Sequence, residues 1–348
     1  MFDKNNIKHY LFAISLVLVA SYVGNKFKDY YIDDSKQEYD MIKLYLLNDS
    51  PLYGENKPKI WIHSKYEINA RKWRDFHSRN TNDLNQPYIN LTIQSIIDHC
   101  SQDFHICLID DQTFSKLIPG WNIDINNVSY PMKSFIREIA LLKLIHTYGG
   151  IVAPDSFVCT RNLLPLYNDF ISNNKTFIFE SINKTNSMNS QKKPCFIPNT
   201  YFMGCNKNDP NIQLIIDKYN AINYSGHIHN EMYFTGETNV FIQHLIESDK
   251  ITLLDGKFIG IKSNQNKPIL LEDLLEEKFL DIQHDAFGIY IPKDEVLVRN
   301  KYEWFAVMSK KELFASNLAI VHHLKSSKID SDEKLLQSFS SNSSVSKL

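Results

Sequence analysis

The sequence has few cysteines and no cysteine motif. Its five cysteines, Cys100, Cys107, Cys159, Cys195 and Cys205, are scattered with no C-x-x-C spacing, which excludes the usual zinc and dithiol signatures. An odd count leaves at least one thiol outside any intramolecular bridge; for the others, disulfides and burial as small apolar side chains both remain open. Glycine is scarce, at 11 of 348 residues. No glycine-rich phosphate loop, nucleophile elbow or zinc-type histidine spacing occurs. Charge of one sign is also lacking: the formal net charge is -2, with acidic and basic residues mixed along the chain. There is no basic stripe to neutralise a phosphate backbone, so nucleic acid is not a partner expected here. The longest apolar run, Tyr10 to Gly24, has about 15 residues, fewer than the roughly 20 that span a bilayer comfortably.

What is present begins with that run. Lys4 and Lys8 precede it and Lys26 and Lys28 follow. It reads as an uncleaved signal-anchor, with a cleaved signal peptide or a core helix as alternatives. The short tail before it favours a single-pass type II arrangement at a membrane, with the large domain translocated. The expected organisation is therefore an anchor over 1–28, a polar stem over 29–57, a catalytic-type domain over 58–325 and a disordered tail over 326–348. The tail is rich in Ser, Lys and Asp and has too little apolar surface to offset its ordering entropy.

Between stem and tail, strand and helix patterns alternate. Strands are expected at Lys59 to His63, His105 to Asp110, Ile151-Val152, Thr176 to Ser181 and Tyr201 to Cys205, and helices at Asn90 to Cys100, Asp111 to Ile118 and Asp209 to Ile222. The run from Met132 to Thr147 is apolar around much of its circumference, as a helix buried on more than one side requires. Tyr148-Gly149-Gly150 ends it. Alternation of this kind predicts an α/β sheet with helices on both faces. Asn183 to Lys193 reads as a surface loop. Leu318 to Val321 reads as strand-like, which would send His322 and His323 to opposite faces.

Candidate chemistry gathers after the long helix. Two glycines followed by Asp155 allow close backbone approach and a carboxylate ligand together, although a helix stop followed by an ordinary turn explains the same residues. Asp111 is read as a helix cap rather than a metal ligand. Arg71-Lys72-Trp73-Arg74 is read as a solvated basic face, and Trp61 as either core or a stacking platform.

The run Ser134-Phe-Ile-Arg-Glu-Ile-Ala-Leu-Leu-Lys-Leu-Ile-His-Thr-Tyr-Gly-Gly-Ile-Val152 resembles the helix-and-glycine signature of glycosyltransferases with a DXD sugar-binding motif, the family 32 and capsular-polysaccharide-synthesis group. Lys57 to His63, Pro198 to Pro210, Thr235-Gly236 and Ile320 to Ser327 are similar to further segments of that group, in the same order. The resemblance implies a GT-A-like (Rossmann-like) α/β fold. It also implies transfer of a hexose from a nucleotide-sugar donor to a glycan or glycoprotein acceptor, with retention and with help from Mn2+ or Mg2+. By the same resemblance Trp61, Arg137, Glu138, Gly149 and Gly150 bind the donor, Glu138 standing in for an aspartate. Asp155, His322 and His323 hold the metal or diphosphate, and Thr235-Gly236 forms a turn. The sequence departs from the family at the motif itself, where Pro154-Asp155-Ser156 replaces the two aspartates and their spacer. One carboxylate in place of two implies a weak metal site. The alternative is a catalytically inactive pseudo-glycosyltransferase that binds a glycan or a partner at the membrane.

Overall fold

The computed structural model describes residues 57–64, 86–128, 132–183, 196–225 and 231–328. The apolar N-terminal segment, the stem up to residue 56, the Arg71 to Arg74 cluster, most of the Asn183 to Lys193 loop and the tail beyond 328 lie outside the described residues. Among the described residues no helix is long and apolar enough to cross a membrane.

A central sheet of six strands carries the fold. Its strands are β1 (Lys59–His63), β2 (His105–Ile109), β3 (Gly150–Pro154), β5 (Phe177–Ile182), β6 (Phe196–Cys205) and β7 (Thr252–Leu254), in the order β2-β1-β3-β6-β5-β7. β1 pairs in parallel with both β2 and β3, and β5 pairs in parallel with β7, while β6 runs antiparallel to its neighbours β3 and β5. Ile60, Trp61 and Ile62 of β1 are all fully buried, the continuous burial that a parallel strand covered on both faces requires. A second, two-stranded sheet joins β4 (Phe157–Cys159) to β8 (Gly288–Tyr290), with Phe157 opposite Tyr290. The architecture is mixed α/β with a parallel-rich sheet, consistent with the GT-A-like expectation at that level.

The helices that matter for the site are α1 (Tyr88–Cys100), α2 (Phe114–Leu117), α3 (Met132–Tyr148), α4 (Pro210–Ser225), α5 (Glu231–Glu247), α6 (Lys293–Val298) and α7 (Ala319–Ser326). As its apolar coverage predicts, α3 is buried almost all round from Ser134 to Leu142. One core cluster joins α3 to Trp61 of β1, to Val152 of β3 and to Ile212, Ile215 and Tyr219 of α4. A second cluster packs Tyr88 and Leu91 of α1 against Ile289 of β8 and Ile320, Val321 and Leu324 of α7. Cys100, Cys107, Cys159 and Cys205 are free and buried.

Two local expectations change in three dimensions. The run after Leu318 is a helix, not a strand: a four-residue apolar run is ambiguous by itself, and Ile320, Val321 and Leu324 form its buried stripe at helical spacing. Thr235-Gly236 lies inside α5 and makes no turn.

Candidate active site

In parallel sheets ligands gather at the carboxyl ends of strands, where chain direction changes. Here those ends are aligned: His63 lies opposite Ile109 on one side and Pro154 on the other, and β3 meets antiparallel β6 immediately beside them. An open cleft of about 600 Å³, counting its solvent mouth, lies at this edge. Its lining includes His63, Arg137, Asp155, Tyr201, Lys293 and Asp294. Ser134, Arg137 and Leu141 reach it together because positions three and four apart share one face of α3.

Asp111 is the hub of one wall. Arg137 donates to it from Nε (2.9 Å to Oδ1) and from Nη2 (2.6 Å to Oδ2), and His63 Nε2 lies 2.9 Å from Oδ1. Burial pushes the Asp111 carboxyl up, but the hydrogen bonds from His63 and Arg137 outweigh it and hold the group well below the usual carboxylate range. The His63 imidazole is also shifted down, but by burial, with partial opposition from Asp111, so it is neutral at pH 7. The capping role expected of Asp111 is not taken up: the N-cap of α2 is Thr113, with no side-chain cap, and Asp110 closes the turn before it, its Oδ1 accepting from the Thr113 amide at 2.8 Å.

A second part of the lining is an ion pair. Lys293 Nζ donates to Asp155 Oδ1 at 2.5 Å and Oδ2 at 2.6 Å, and the Asp155 residue is 2% exposed. The pairing is built into the backbone. Ile291 N donates to Ser156 O and the Ser156 hydroxyl donates to Ile291 O, which extends the β4–β8 ladder by one step and sets Asp155 across from the start of α6. Sequence reading missed Lys293 as a site residue, since Pro292-Lys-Asp-Glu295 looks like nothing more than a helix start.

The remaining sequence candidates separate. Glu138 accepts from Tyr201 Oη at 2.7 Å and from Tyr219 Oη at 2.6 Å. It stands behind Tyr201 and does not line the cleft, which it reaches only through the tyrosine. Burial, followed by the Glu138 charge, pushes both phenols well up and keeps them donors. Trp61 is core, fully buried, with Nε1 donating to Gly149 O at 2.9 Å. Gly149 links α3 to β3 and Gly150 begins the strand, about 13 Å of strand from its cleft end. Their positive φ values of 71° and 103° bring the backbone against Lys207 and Lys59. They let α3 turn into the sheet and do not approach the cleft. His322 is exposed on α7, with its ring 6.4 Å from that of Phe279, and His323 is half-buried; neither lines the cleft.

No family model matches the chain and no curated protein matches it. Among solved structures it is similar to the apo-form glycosyltransferase GlyE of Streptococcus pneumoniae, at 12% identity and a TM-score of 0.36, over 82% of this chain and 64% of that one. A likeness this distant does not identify the chain, which spans less than two thirds of that structure's length.

The residues present do not fit a divalent cation. Both oxygens of Asp155 are taken by an ammonium, and among the described residues no three His, Cys, Asp or Glu side chains gather as ligands. An ion placed on Asp155 would lie within about 4 Å of the Lys293 charge, a repulsion of about 4 kcal/mol per unit charge at an effective dielectric near 20.

Proposed function

We propose that the chain is a glycosyltransferase that takes a nucleotide-sugar donor at the cleft and passes the sugar, a hexose with its anomeric configuration retained, to a glycan or glycoprotein acceptor. One observation carries the reading. The segments on which the family resemblance rests are far apart in the chain, yet they contribute neighbouring walls: His63 from β1, Arg137 from α3, Asp155 from the altered motif and Tyr201 from β6 all line the same cleft. A core assembled only for packing has no need to bring them to one opening.

In this reading Tyr201, held by Glu138, and the neutral His63, held by Asp111, offer fixed polar groups to donor hydroxyls or base. Arg137 and Lys293 supply positive charge against the departing diphosphate. The apolar N-terminal segment tethers the domain to a membrane. The test is to incubate the full chain with UDP- and GDP-hexoses and follow release of free nucleotide. Slow donor hydrolysis, abolished by Lys293→Gln, is expected; absence of both turnover and nucleotide binding would sink the proposal.

A second reading has its own support. Both cations of the cleft lining already have a carboxylate, Arg137 in Asp111 and Lys293 in Asp155, so no surplus charge awaits a diphosphate. That balance suits a catalytically inactive relative that binds a neutral glycan. Saturable binding of an oligosaccharide with no nucleotide binding selects it.

A further inference from the structure

We infer that this cleft takes its anionic ligand without a divalent cation, the Lys293 ammonium standing where the ion would stand. The inference rests on the proposed function for the nature of the ligand, but its metal clause stands on geometry alone. Lys293 follows Pro292 at the first turn of α6, and its own N–H returns to Ile291 O at 2.8 Å. Asp155 is held from the other side, its backbone carbonyl accepting the Thr92 hydroxyl of α1 at 2.5 Å. With Ser156 and Ile291 joined by two hydrogen bonds between them, the backbones of the pair are set across from each other, and displacing the ammonium for an incoming ion would leave the buried Asp155 carboxylate without its partner.

The chemistry then divides cleanly. A lysine ammonium has three N–H donors, and Asp155 takes two. The third is left for a ligand in the cleft that Lys293 lines. A point charge of this kind binds phosphate oxygens without the strict geometry that a fork of donors or an octahedral ion imposes. Asp155 is then a positioning residue for Lys293 and not a ligand. Among the described residues no three His, Cys, Asp or Glu side chains gather as metal ligands, with His63 and Asp294 of the cleft lining included in that count.

The experiment uses the full chain. Titration of wild type with Mn2+ alone, followed by the electron paramagnetic resonance signal of the free ion, is expected to show no site tighter than about millimolar. A micromolar site abolished by Asp155→Asn overturns the inference. Calorimetry with UDP as probe is expected to give the same affinity, within about twofold, in EDTA and in Mn2+, and a tenfold loss in EDTA overturns it. The two variants should then move in opposite directions. Asp155→Asn, which frees the ammonium, holds or tightens UDP binding, whereas Lys293→Gln weakens it at least tenfold. For a metal ligand at residue 155 the first of these would be a loss instead. If neither UDP nor GDP binds in any arm, the proposed function falls together with the phosphate role of Lys293, and the manganese titration still decides whether the cleft takes an ion.

Discussion

At the scale of the residue, the most informative side chain is Asp155, and its meaning depends on one partner. A buried carboxylate with a matched cation is satisfied, whereas the same carboxylate left alone keeps its desolvation penalty uncompensated. Lys293→Gln is therefore expected to cost about 3–5 kcal/mol. Asp155→Asn should cost less, because the Lys293 side chain is 13% exposed against 2% for Asp155 and an unpaired ammonium there retains some water. The double variant should recover much of the loss, since it buries no charge. Urea midpoints of the three variants check this cycle, and simple additivity of the two single costs would show that the pair is uncoupled.

At the scale of the element, two glycines that look alike in sequence do opposite things. At Gly150 the φ of 103° is one that L side chains rarely adopt, and an added Cβ would meet Lys59 O at 2.4 Å. Gly150→Ala is expected to destabilise by more than about 2 kcal/mol, as strained backbone and a hard contact combine. Gly236 lies in the interior of α5 with nothing within 4 Å of an added Cβ. There, alanine should stabilise by about 0.5–1 kcal/mol through helix propensity. Thermal unfolding of the two variants separates the assignments: a destabilising Gly236→Ala would mean that the position serves a turn, as the resemblance implies, and not a helix. The elements themselves were largely legible, because strand alternation and the apolar circumference of α3 are local properties. Leu318 to Val321 is ambiguous in sequence because four apolar residues satisfy either period, and only the packing of Leu324 beside Ile320 and Val321 selects the helix.

At the scale of the whole molecule, burial of ionisable groups makes stability depend on pH in a stated direction. Burial lowers His63 and His323 below the ordinary histidine value. As pH falls through about 6.5 the unfolded chain takes up those protons before the folded one does, so stability present at neutral pH is lost, at up to about 1.4 kcal/mol per pH unit for each group. Asp111 is shifted down by its two partners, despite burial. Its contribution is intact above the ordinary carboxylate value near 4 and declines at more acid pH. The urea midpoint should fall between pH 7.5 and 5.5 and fall again below pH 4; a midpoint that is flat or rises over the first interval contradicts the assignment of His63 as buried and neutral.

The sequence alone determined the alternation of strands and helices, the burial of α3 and the stop at Tyr148-Gly149-Gly150, because apolar periodicity and backbone freedom are written within a few residues. It also singled out Asp155 as a chemistry-bearing position, and the family resemblance added Arg137 together with residues that do not line the cleft. Only the tertiary structure decided what those groups face. Asp155 and Lys293 are 138 residues apart and meet because the β4–β8 pairing is extended through Ser156 and Ile291. Arg137 turns to Asp111 because β2 and α3 converge at one edge of the sheet. Electrostatic partnership is set by distance in space, and no local pattern encodes that distance.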